Sequence, residues 1–179
     1  DMLVVNKLQR VPSELNEAGV NRGTNYENQM VRFELDKVTN KLLIRQSRPL
    51  PLAPAEDAIS QSVRDNYISP LIAGFKIEAF NNDSTTMVIK VNDIYDGTET
   101  SINNVFTNIN LGTSSIKNLS RILSIKSFEN NVVATSELTT KVTEGTTSIY
   151  VTVEVSSSLM LLPETPMTGR LDNARVGYF

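Results

Sequence analysis

Residues 146 to 159 hold the longest clean alternation in the chain. Ile149, Val151, Val153, Val155 and Leu159 share one parity, while Tyr150, Thr152, Glu154 and Ser156 take the other. Successive side chains of a β-strand point to opposite faces, so this pattern requires a sheet with one buried face. A strand of that length needs partners, and the rest of the chain is read for them.

Val132 to Val142 is the nearest partner, joined through Thr143-Glu144-Gly145 into the last and longest hairpin. Upstream, Met2-Leu3-Val4-Val5 is strand-like from the first residues. Val31, Phe33 and Leu35 alternate with Arg32 and Glu34, and Leu42 to Ser47 returns after a polar turn. Leu71 to Phe80 carries Phe75, Ile77 and Ala79 on one side and pairs with Thr85 to Val91. The intervening Asn81-Asn82-Asp83-Ser84 tolerates positive φ and hydrogen bonds its own backbone. Pro12 to Gln29, with Gly19, Gly23 and four asparagines, reads as a long polar loop. Thr98 to Asn118 reads as an excursion over the sheet, anchored by Val105, Phe106, Ile109, Leu111 and Ile116.

Helical signals are few. After Pro49, Pro51 and Pro54, the acids Glu56-Asp57 suit the positive end of a helix dipole, and Ala58, Ile59 and Val63 recur at helical spacing. The segment from about Ala55 to Tyr67 is therefore expected to be a helix, ended by Ser69-Pro70. Ser120 to Phe128 reads as a second short helix, capped by Ser120 with Ile122, Ile125 and Phe128 every third residue; a strand is the alternative. Neither a fixed repeat nor a regular βαβ alternation is present. The expected fold class is α+β and mainly antiparallel β, with about eight strands in consecutive hairpins and one inserted helix. Residues 1–162 are read as a single domain and residues 163–179 as a connector.

Function is bounded first by what the chain lacks. It has no histidine and no cysteine, which excludes the ordinary zinc site, the Ser-His-Asp triad, the cysteine nucleophile and disulfides within these residues. A net charge of −3 with no Lys/Arg cluster offers no field for a phosphate backbone, so nucleic acid is not an expected partner. No apolar run approaches the roughly 18 residues of a membrane span, and no signal peptide opens the sequence. Glu34, Glu78, Glu129, Glu137 and Glu154 lie on strand-like segments or beside turns and could form a carboxylate pair of the glycosidase kind; a solvated face explains them more simply. Asn92 to Gly97 looks like a calcium loop but lacks the acid spacing and distal glutamate of an EF-hand. No Gly-rich phosphate loop and no aromatic strip is present.

The run from Ser158 through Leu162-Pro163-Glu164-Thr165-Pro166-Met167, then Arg170-Leu171-Asp172 and Arg175-Val176-Gly177-Tyr178-Phe179, resembles the segment leading into the catalytic domain of large exported bacterial zincin-like zinc metalloproteases. Met2 to Lys7, Val31 to Glu34 and Ser124 to Phe128 are similar to the domain of unknown function that precedes that catalytic domain. The H-E-x-x-H zinc helix of the family is not among these residues. The resemblance implies a non-catalytic accessory domain of an exported peptidase, packing on or positioning a downstream catalytic domain of the same chain. Zinc would then belong only to that downstream domain, and no cofactor is expected here. Arg170, Arg175, Tyr178 and Phe179 are the expected interface residues. The alternatives are a stand-alone module binding a peptide or a glycan, and an inhibitory prodomain.

Overall fold

A computed structural model describes residues 1–48 and 58–164, together with the backbone of 172–173 and 177–178. Eight antiparallel strands form one curled sheet: β1 (Met2–Arg10), β2 (Asn25–Asp36), β3 (Lys41–Gln46), β4 (Leu71–Phe80), β5 (Met87–Ile89), β6 (Arg121–Phe128), β7 (Asn131–Glu144) and β8 (Thr147–Leu161). Their order is β5-β4-β3-β2-β1-β8-β7-β6. Two meanders, β1 to β5 and β6 to β8, are thus joined along the seam where β1 pairs with β8. The long alternating stretch is the strand that makes this join, flanked by β1 on one side and β7 on the other. A short separate ladder pairs β9 (Asp172–Asn173) with β10 (Gly177–Tyr178).

Parity decides which face is inside. On β8, Val151, Val153, Val155 and Ser157 are buried; on β1, Val4, Asn6 and Leu8; on β7, Ala134, Ser136, Leu138 and Thr140. The β7–β8 hairpin closes in two residues, and Gly145 supplies the positive φ (60°) at its first central position.

Among the described residues, four short α-helices accompany the sheet: α1 (Ser13–Glu17), α2 (Ala58–Asn66), α3 (Asn92–Tyr95) and α4 (Val105–Asn108). Of the expected helix from Ala55 to Tyr67, the described part is α2; Ala55 to Asp57 lie outside the described residues. The expected excursion after Thr98 lies on the inner face and buries Ile102, Val105, Phe106 and Ile109. It is pinned to β7 by Ile116 N–H donating to Thr139 O at 2.8 Å and Thr140 Oγ1 donating to Ser114 O at 2.8 Å.

Two expectations need correction. The second short helix over Ser120 to Phe128 is instead strand β6. The Ile122-to-Ile125 interval spans a bulge: Ile122 pairs with Ser136 and Ser124 with Thr135, so Leu123 is an extra residue, whereas Phe128, paired with Asn131, falls on the opposite face. That insertion returns Ile122 and Ile125, of opposite parity in sequence, to the same face of the sheet. The polar loop from Pro12 to Gln29 is likewise shorter than its composition suggests. It contains α1, and β2 already begins at Asn25 because pairing with β1 satisfies the backbone of its asparagine-rich start. Among the described residues, no helix is long and apolar enough to cross a membrane.

Candidate functional site

The apolar interior is divided in two. One cluster, around Leu8, Phe106, Leu138 and Val155, is filled by α4 and by Val11, Leu15 and Val20 of the β1–β2 connection. The other contains Val4, Val31, Ile44, Ile94 and Ile102 and surrounds a chamber of about 260 Å³. All eight strands of the sheet contribute to the chamber wall. β1 to β4 supply Val4, Val31, Ile44 and Phe75; the two edge strands supply Ile89 from β5 and Ile125 from β6; Val132 and Leu159 complete it from β7 and β8. Helix α3 adds Ile94 and Tyr95, and burial raises the Tyr95 phenol above its usual pKa. No charged side chain lines the wall. The two edge strands thus reach one space although they stand at opposite ends of the sheet order, which is the mark of its curl.

A polar belt lies on the inner face between the clusters. Its centre is Asn6, fully buried, which stands directly opposite Ser157 on the β1–β8 ladder. Asn6 Nδ2 donates to Ile102 O at 2.7 Å and to Glu27 O at 3.2 Å, and its backbone N–H donates to Asn28 Oδ1 at 3.2 Å. Glu27 is the bulge residue of β2, with φ 47° where Val4 pairs with Gln29 but Asn6 with Tyr26. Its carboxylate accepts from Asn104 N–H at 2.7 Å, just ahead of α4. Burial raises the Glu27 pKa, and the Asn104 hydrogen bond opposes that rise. Tyr26 donates to Asn103 Oδ1 at 2.9 Å; burial, with a smaller contribution from Glu27, pushes its phenol far above the usual range. Among the described residues, four buried side-chain atoms have no hydrogen-bond partner: Asn6 Oδ1, Ser157 Oγ, Asn103 Nδ2 and Asn131 Oδ1. Ser157 also lines the chamber.

Sequence reading missed this belt, although a signal was present. Ser157 interrupts the apolar parity of β8 between Val155 and Leu159, as Asn6 interrupts that of β1 between Val4 and Leu8. Neither interruption carries weight until the strands are known to be adjacent.

The carboxylates considered from sequence are mostly engaged on the outer face. Glu34 pairs with Arg45 at 2.5 Å and Glu78 with Lys76 at 3.4 Å. Glu137 and Glu154 do come together, directly opposite each other on β7 and β8. Each is flanked by its own arginine, Arg121 at 2.7 Å and Arg10 at 3.5 Å, so four strands carry an Arg-Glu-Glu-Arg row. This row balances its own charge and needs no other role. The segment resembling a calcium loop is α3 and its exit: Lys117 pairs with Asp93 at 2.5 Å, and Asp96 accepts from the Thr98 backbone and hydroxyl. Among the described residues, no group of three or more acids, histidines or cysteines could hold a metal ion. Of the expected interface residues, Arg170, Arg175 and Phe179 lie outside the described residues, and Tyr178 belongs to β10.

No curated protein and no solved structure matches the chain. A family model does, over residues 23–179, which take in every strand of the sheet except β1. The chain belongs to the family described as domain of unknown function DUF5117.

Proposed function

We propose that this domain is a binding module that takes an apolar chain into the chamber of the curled sheet. The reading rests on one observation: a chamber of about 260 Å³ with a nearly all-aliphatic and aromatic wall to which all eight strands contribute. Apolar wall left facing water forgoes about 25 cal/mol for each Å² that a guest could cover. A guest that fills the chamber recovers that energy. The unpaired seam between β5 and β6 is the way in, with Ile125 exposed beside it. A glycan is the wrong guest, because sugar hydroxyls need many polar partners and this wall offers few. Methyl NMR during titration with the ten-carbon fluorescent dye naphthalene tests the reading. Methyl signals of Ile44, Ile94, Ile102 and Ile125 should shift together while those of Val105 and Leu138 stay still. Shifts scattered over exposed methyls such as Val38 would defeat it.

A second reading concerns the parent protein. The resemblance of residues 158–179 to the approach of a zincin-like catalytic domain supports a non-catalytic accessory role in an exported zinc metalloprotease, with 163–179 as the connector. The pairing of β9 with β10 in a ladder of their own, rather than with the large sheet, favours a segment that serves a neighbouring domain. Hydrogen exchange across 163–179, measured with and without the following domain, should slow on its addition; unchanged exchange removes this reading.

A further inference from the structure

We propose that the guest is a linear aliphatic molecule of roughly ten heavy atoms carrying one neutral hydroxyl head, received by Ser157 and Asn6. The inference rests on the chamber-binding reading above and deepens it. Size comes first. A dry apolar cavity of about 150 Å³ accepts the six carbons of benzene, so about 260 Å³ holds on the order of ten heavy atoms.

The head group follows from the two unpartnered oxygens. Ser157 Oγ lines the chamber, is almost wholly buried and has no partner. Asn6 is its direct cross-strand neighbour on the same inner face. The orientation of the Asn6 amide is set chemically: Nδ2 faces two carbonyl oxygens, those of Ile102 and Glu27, which can only accept. Oδ1 is therefore the free acceptor, and Ser157 Oγ–H is the free donor. A hydroxyl satisfies both at once, donating to Asn6 Oδ1 and accepting from Ser157.

Other head groups fit less well. An ionised carboxylate would be buried with no cation on the wall. A peptide segment would bring an N–H and a C=O at every residue, each needing a partner, against one hydroxyl and one amide oxygen. An ether can accept from Ser157 but leaves Asn6 Oδ1 unpaired.

The test uses two isomers, 1-nonanol and methyl octyl ether, displacing the ten-carbon dye naphthalene from the intact chain, with nonanoate at pH 8 as a third competitor. The alcohol should bind about three- to tenfold tighter than the ether, the effect of one net hydrogen bond, and nonanoate should be the weakest. Ser157→Ala removes the donor that both isomers use and should weaken 1-nonanol and methyl octyl ether alike, by a similar factor. Equal displacement by alcohol and ether would overturn the head-group assignment while leaving chamber binding intact. Failure of the dye to bind at all would instead overturn the chamber reading and this inference with it.

Discussion

Asn103 shows how narrowly the buried polar residues are satisfied. It is almost fully buried, its Nδ2 has no partner, and its Oδ1 depends on the Tyr26 hydroxyl. Tyr26→Phe keeps the packing but orphans the remaining atom, and should cost about 1–3 kcal/mol in urea unfolding. Glu27 gives a pH-dependent counterpart. Its pKa is raised in the fold by burial, so the folded chain holds that proton more tightly than the unfolded chain. The stabilising contribution is present below the ordinary carboxylate pKa and is lost as pH rises through the raised value. Glu27→Gln keeps an acceptor for Asn104 N–H without the buried charge. Its melting temperature should therefore exceed the parent's at pH 7.5, with the gap shrinking as pH falls through the carboxylate range. None of these roles was legible in the sequence. Tyr26, Glu27 and Asn28 read as loop composition, and their meaning comes from a bulge and from residues more than 70 positions away.

At the scale of elements, the sequence was a good guide wherever one face of a strand is buried. β4 matches its expected bounds, and β7 and β8 differ from theirs only at the ends. It misled at β6, because a bulge sets Ile122 and Ile125 three residues apart on one face and Phe128, on the other face, extends the same spacing. β6 is also an edge strand with Ile125 and Phe128 more than half exposed, so no buried stripe marks its parity. An excursion over the sheet was expected from its apolar anchors, and Phe106 within it is the largest fully buried side chain among the described residues. Phe106→Ala should cost about 3–5 kcal/mol. The turn after α3 depends on Gly97, whose φ of +73° is costly for other residues. A Cβ there would collide with Ser115 Oγ and lie 3.2 Å from Leu138 Cδ1. Gly97→Ala should therefore cost about 2–4 kcal/mol, combining backbone strain with overpacking, and chemical denaturation would read it directly.

For the whole molecule, antiparallel hairpins were legible but their order was not. Joining two meanders through β1 and β8 is a long-range choice, pairing the first strand with the last of the large sheet. Residues such as Val4, Ile44, Ile125 and Val132 read locally as ordinary core, and only the curl of the sheet turns them into the wall of one chamber. The central claim is that this chamber binds an apolar guest. Its most direct test is a titration of naphthalene, which matches the chamber in size, against the parent chain and Val132→Phe, which fills part of the space from β7. The account predicts at least a tenfold loss of dye affinity with a melting temperature equal to or above the parent's. Undiminished affinity in a folded Val132→Phe protein would contradict it.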